Sequence, residues 1–336
     1  MNSRERLFAC MDGKPVDRTP NTNIIMMLGA KETGVKYSDY VTDHRLLVDG
    51  NIAVAEKYGL DLVTVMSDPM HEAHDVGVDV VFPEDDVPYP KCNLINSAED
   101  VLKLKVVKPE DGKRMSESVK AVELYRKKLG DSFPVCGWVE GCFAEAADLM
   151  GVNEFLMEIM DEEGFADDLL EFCLEQAVLY ARAQVDAGAD IIGVGDAIAS
   201  VAGPYLYEDK AVVFETRLFQ AIKEMGASIK LHICGNITPF IDKIPTDLID
   251  ILDVDWMNPI EKAAEACRGK CAFSGNYDPV GVLLQSDPLT ISNTVEKLIR
   301  DNSAERYITS AGCEVPKDTP EENLMSVAEA VKRVYG

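Results

Sequence analysis

Positive charge is what these 336 residues have little of: 33 Lys plus Arg stand against 59 Asp plus Glu, a formal net charge of -26. A chain of that balance repels phosphate backbones and anionic lipid headgroups at long range, which argues against nucleic acid and membrane partners. The acids are spread along the chain, in runs such as EIMDEEGFADD, and read as a solvated surface. Long apolar runs are missing as well. No window approaches the roughly 18 uninterrupted apolar residues that a membrane span needs, and the opening MNSRERLFAC lacks the apolar centre of a signal peptide. Together these absences predict a cytoplasmic protein. Gly-rich phosphate loops, nucleophile elbows and Cys-x-x-Cys pairs do not occur. What the chain does have is nine cysteines. In a reducing compartment these are free thiols, most of them small buried hydrophobes and a few of them ligands or nucleophiles.

Short β-rich runs alternate with helical stretches. The pattern predicts strands near Ile24–Met27, Asp61–Val65, Phe133–Gly137, Ile191–Val194, Lys230–Ile233, Ile251–Val254, Ala272–Ser274 and Tyr307–Thr309. Between them, apolar residues recur at spacings of three and four, as in the stretch from Glu154 to Gly188, whose length allows two helices broken near Gly164. Eight such alternations favour an α/β fold of the (β/α)8 barrel type, as one domain over residues 1–336. The segment from Asp68 to about Pro109, rich in Pro, Asp and Val, breaks the repeat and reads as an insertion after the second strand.

In such a barrel, the side chains that do chemistry come from the C-terminal ends of the strands. Those ends carry Glu140, Asp196, His232 with Cys234, Asp255 with Trp256, Asn276, and Cys313. Residues two apart on a strand face one side, so His232 and Cys234 converge if the chain stays extended, and Gly235 allows a sharp turn just beyond. Barrel closure brings Cys313 across the mouth. One imidazole and two thiolates make a zinc site with an exchangeable fourth position, for which Glu140 or a water is a candidate. By itself His-x-Cys is more often a satisfied histidine and a buried thiol; the matching strand-end Cys313 reverses that. His71 and His74 in DPMHEAHDVG read as a substrate loop or as solvated histidines, and Cys267 and Cys271, near a strand start, as structural.

The segments SRERLFACMDGKPVDRTP, GWVEGCFAEAADLMG, LHICGN, SGNYDPVGVLL and AGCEVPKDTPEENLMSVAEAV resemble, over nearly the whole chain, the uroporphyrinogen decarboxylase superfamily. His-x-Cys with the distant Cys implies its branch of zinc methyltransferases that work with corrinoid proteins. Where the decarboxylases carry an arginine-rich stretch after RTP, this chain has NTNIIMMLGAKETG, so a polyanionic porphyrinogen lacks its clamp.

The resemblance implies zinc held by His232, Cys234 and Cys313, a cobalamin carried by a transiently bound corrinoid protein, and a small-molecule methyl donor or acceptor; it leaves room for a homodimer. Two roles stay open. In one, a methoxylated aromatic compound is O-demethylated onto cob(I)alamin; this is the role the sequence favours, because IIMMLG with Met27, and Trp256, suit an aromatic ring. In the other, methylcobalamin methylates coenzyme M or another thiol. Glu140 and Asp196 are the candidate catalytic carboxyls and Asn276 a candidate substrate-binding residue. A corrinoid-protein chaperone or a zinc sensor is the non-enzymatic alternative.

Overall fold

A computed structural model describes residues 1–161 and 163–335. Its main sheet has seven parallel strands, β1 (Val63–Thr64), β4 (Val135–Glu140), β5 (Ile191–Gly195), β6 (Ser228–Ile233), β7 (Ile251–Val254), β8 (Ala272–Tyr277) and β9 (Tyr307–Ala311), in that spatial order. Between β1 and β4, β2 (Val80–Val81) and β3 (Tyr89–Pro90) form a separate antiparallel pair. This is the insertion expected after the second strand.

Helices alternate with the strands and cover the outer face, so β4, β5, β7 and β9 are buried at every position, as strands of a parallel sheet must be when helices cover them. The eighth stave is short. Asn21 bridges Thr309 in parallel, Thr309 N donates to Pro20 O at 2.9 Å, and Asp61 N donates to Asn21 O at 2.7 Å. Residues 20–22 thereby link β9 to the segment entering β1 and close an α/β barrel.

The strand expected at Ile24–Met27 is not there. Ile24, Ile25 and Met26 are buried, but the chain has already left the sheet, and Met27 opens the helix Met27–Thr33. A short apolar run has no periodicity to separate strand from buried helix entry. The other seven expected strands coincide with β1 and β4–β9 to within a few residues. The expected break near Gly164 falls between the helices Val152–Glu158 and Ala166–Asp186.

The N-terminal helix Ser3–Met11 starts with a capping box, Asn2 accepting from Glu5 N and Glu5 accepting from Asn2 N. Its Leu7, Cys10 and Met11 pack on Leu62, Cys136, Ile191, Ile251, Ala272 and Ile308, which plugs the N-terminal end of the barrel. Chemistry is thereby confined to the other end. No helix among the described residues is long and apolar enough to cross a membrane.

Candidate metal centre at the barrel mouth

Strand register decides which side chains meet. Glu140 pairs with Gly195, Gly195 with His232 and His232 with Asp253, one row across β4, β5, β6 and β7. Glu140 and His232 are two strands apart, roughly 10 Å from backbone to backbone, and Gly195 between them makes room for the Trp138 indole, which a Cβ there would meet at 2.8 Å. The indole of Trp138 lies against β5, where a Cβ on Gly193 would meet it at 2.2 Å. Its Nε1 donates to Glu140 Oε1 at 2.9 Å.

His232 Nε2 stands 3.0 Å from Cys234 Sγ, and Cys234 Sγ 3.7 Å from Cys313 Sγ. All three ligand atoms lie within 4.8 Å of one another. For a tetrahedral zinc with Zn–S of about 2.3 Å, the sulfur–sulfur edge is about 3.8 Å; the two thiols are already at that spacing. His232 is buried while Cys234 and Cys313 are half-exposed, so the open side of the triad faces the mouth. The donor set therefore fits zinc with one position left for an exchangeable ligand.

The surroundings fix the ligands. His232 Nδ1 is 3.1 Å from Asp253 Oδ2, which also takes Lys230 Nζ at 2.9 Å, while Ser274 Oγ donates to Asp253 Oδ1. A carboxylate this close to Nδ1 favours the proton on that nitrogen, which leaves Nε2 as the donor atom. Gly235, at φ 89°, makes the turn after Cys234 in a conformation that favours glycine. Asp255 Oδ2 accepts from Gly235 N at 2.7 Å, and Asn258 ties the same turn through Ile237 N at 2.8 Å and Gly235 O at 2.9 Å.

Burial opposes charge on His232, but Asp253 and Cys313 outweigh it and lift its pKa to about 10. Cys313 is held down to about 4, by the Cys234 sulfur first and by His232 against burial; Cys234 is pushed up by Cys313 and burial. Without metal, the triad thus holds an imidazolium, a thiolate and a thiol.

The remaining expected residues divide. Glu140 lies at the mouth, outside the 4.8 Å group. Burial, then Glu72 and Asp148, raise its pKa well above the usual carboxylate range, which favours its protonated form. Asp196 Oδ1 accepts from Ala144 N at 2.9 Å and so holds the N-terminus of the helix Cys142–Met150; burial lifts it to about 7. Asn276 spends its amide on Asn258 O at 2.6 Å and Asp255 O at 3.3 Å, which braces the β7 loop. Trp256 is 43% exposed and its backbone packs on Gly312, beside Cys313. Met27 N donates to Glu314 Oε1 at 3.2 Å.

His71 is buried, with Nε2 2.9 Å from Ser67 Oγ and Nδ1 3.0 Å from Ser118 Oγ, and His74 pairs with Asp75; both belong to the packing of the insertion. A second group, Asp43, His44 and Glu117, is accounted for by a helix cap and a hydrogen-bond-distance contact: Asp43 accepts from Arg45 N, and His44 Nδ1 meets Glu117 at 2.6 Å. Cys267 and Cys271 line a cavity of about 540 Å³ at the plugged end, away from the triad.

Sequence reasoning missed Asp253, Lys230, Asn258 and Glu314. Asp253 had a signal: an acid in the middle of the apolar run ILDV is rare unless it is paired.

The chain matches the uroporphyrinogen decarboxylase (URO-D) family over residues 2–334 and belongs to it. It is 28% identical over 337 residues to the methylcobamide:CoM methyltransferase MtbA of Methanosarcina mazei, covering 98% of this chain and 97% of that one. To MtaA of Methanosarcina barkeri, also named a methylcobamide:CoM methyltransferase, it is 27% identical, covering 99% and 98%. A uroporphyrinogen decarboxylase of Carboxydothermus hydrogenoformans is 23% identical, covering 94% and 93%. The solved structure of a methyltransferase from Methanosarcina mazei superposes with a TM-score of 0.88 at 23% identity, over 100% of both chains. Within the family, this protein is a methyltransferase.

Proposed function

We propose that the chain moves a methyl group between a corrinoid carried by a partner protein and a small substrate held at zinc in the His232–Cys234–Cys313 site. The observation that carries the reading is the triad: two sulfurs at the spacing of a zinc tetrahedron, an imidazole oriented by Asp253, and an open side toward the mouth. Bound there, zinc supplies a Lewis acid that lowers the pKa of a thiol or withdraws charge from an ether oxygen.

The protein's own groups do the rest. Asp253 holds His232 in the tautomer that offers Nε2. Asp255 and Asn258 hold the turn that aims Cys234. Glu140, protonated and across Gly195 from His232, is placed to give a proton to an oxygen leaving group. On the rim, exposed Val201, Tyr205, Trp256 and Met257 follow β5 and β7 and suit a protein partner set over the mouth.

Relatives named methylcobamide:CoM methyltransferases support transfer toward a thiol: RSH and methylcobalt(III) give RSCH3, cobalt(I) and a proton. Demethylation of a methoxylated aromatic compound onto cobalt(I) is the second reading, favoured by exposed Trp256 beside Cys313 and by the acid at Glu140. The test is spectroscopic. Zinc-loaded protein is mixed anaerobically with methylcobalamin and thiols, or with cob(I)alamin and methoxyarenes, and the interconversion of the two cobalamin spectra is followed. Zinc-dependent conversion that disappears in Cys313→Ala supports the proposal. No conversion in either direction, with zinc bound, refutes it.

A further inference from the structure

The mouth of this barrel is built without positive charge. Residues 23–30, 66–90, 141–181, 196–209, 234–242, 255–261, 278–296 and 312–316, the stretches that follow the eight staves, contain no Lys or Arg. Four of the cations that follow them are engaged: Lys31 with Asp318, Lys210 with Asp167, Lys243 with Glu208 and Lys317 with Asp85. Within the barrel, Lys230 is paired with Asp253, and Arg114 with Asp68. The N-terminus of the helix Cys142–Met150, an acceptor of anions, already holds the Asp196 side chain. Around the triad stand Glu140, Asp255 and Glu314, all buried or half-buried acids.

From this we infer that the small substrate of the metal site carries no negative charge: it is an uncharged or cationic thiol or methyl ether, and sulfonates and carboxylates are discriminated against. The inference rests on the proposed metal-held substrate and sets this chain apart from relatives whose names specify coenzyme M, a sulfonate. Two thiolate ligands neutralise a divalent ion, so the metal itself does not compensate for the missing cations. Strong anion binding in proteins depends on guanidinium or ammonium groups, and the stretches around this mouth contain neither.

The test keeps the two readings apart. Cobalt(II) replaces zinc as a coloured probe, and three thiols with the same two-carbon chain are titrated against its absorption: 2-mercaptoethanol, cysteamine and 2-mercaptoethanesulfonate. The expected result is that the sulfonate binds at least about tenfold more weakly than 2-mercaptoethanol, or ~1.4 kcal/mol. The penalty should shrink as salt is added. Trp256→Arg, which places a guanidinium beside Cys313, should narrow the gap. The same order is expected in cob(I)alamin methylation, with 2-methoxyphenol ahead of 4-hydroxy-3-methoxybenzoate. Equal or tighter sulfonate binding by cobalt-loaded protein overturns the charge inference and leaves the metal site standing. Failure of the triad to take up cobalt overturns the metal reading, and the charge inference with it.

Discussion

Replacing Asp253 by Asn separates what orients the metal ligand from what holds the barrel together. Asp253 is 1% exposed and meets His232 Nδ1 at 3.1 Å and Lys230 Nζ at 2.9 Å. Asn keeps the shape but removes the charge, so two effects follow. The imidazole faces a neutral amide in place of the carboxylate that favours its Nδ1 proton and raises its basicity, which lowers metal affinity about 10- to 100-fold, or roughly 1.4–2.8 kcal/mol. Lys230, itself 2% exposed, is left buried without a counter-charge, which destabilises the fold by about 3–5 kcal/mol. Adding Lys230→Met removes the orphaned ammonium, so the double variant should regain most of the stability and none of the metal affinity. Denaturant unfolding of the metal-free protein measures the first quantity, and zinc competition with a chromophoric chelator the second. Wild-type zinc affinity in Asp253→Asn would refute the orienting role. Full recovery of affinity in the double variant would show that the loss came from a weakened fold and had nothing to do with His232.

Cys234→Ala and Cys313→Ala should each lose most of their bound zinc, measured as metal per folded chain; full retention in both would sink the site. Glu140→Gln should keep zinc and lose transfer activity, because its amide cannot supply the proton; wild-type turnover would assign Glu140 to the fold alone. Glu72, 2% exposed, has its pKa raised by burial from 4.5 to about 7, so wild-type stability is intact below pH 4.5 and falls as pH rises through 7. Glu72→Gln should therefore match wild type at pH 4.5 and exceed it by up to about 3 kcal/mol at pH 8 in denaturant unfolding; an equal gain at both pH values would contradict this. In Gly312→Ala the new Cβ would meet Trp256 N at 2.1 Å, so the β7 and β9 loops must part and carry Cys313 out of place. Chelator competition should show weaker zinc binding, and unchanged affinity would mean that the loops yield elsewhere.

The strands that the sequence disclosed are those where turn signals bound a β-branched run, such as Ile191–Val194 and Ile251–Val254. Ile24–Met27 misled because composition alone cannot tell a strand from a buried approach to a helix, and the true eighth stave, residues 20–22, is too polar to look like one: Asn21 sits there because its backbone, not its side chain, bridges two neighbours. The grouping of His232, Cys234 and Cys313 was readable because the first two are two apart at the end of β6 and Cys313 follows the end of β9. Asp253 was not, since its partnership with His232 depends on the register of β6 against β7, a property of two strands that neither strand states. Asn276 and Asp196 look like substrate groups at strand ends, and only their partners, Asn258 O and Ala144 N, show that each ties one loop to the next.

The charges around the triad explain why such a site tolerates burial. Two thiolates would neutralise a divalent ion; Asp253 and Lys230 neutralise each other; burial, and then Glu72 and Asp148 nearby, favour the protonated form of Glu140. Each buried charge is matched locally, so the row from Glu140 to Asp253 is close to neutral even though the chain carries -26 overall. An anion entering this row finds no partner and adds an uncompensated charge where water is scarce. An uncharged ether adds none, and an uncharged thiol adds one only when it gives up its proton to become the nucleophile. The proton released when a thiol is activated leaves through the same open mouth by which the substrate came in. The acidity that repels polyanions at long range and the pairing around the triad therefore act in the same direction, against negative charge, at two different scales.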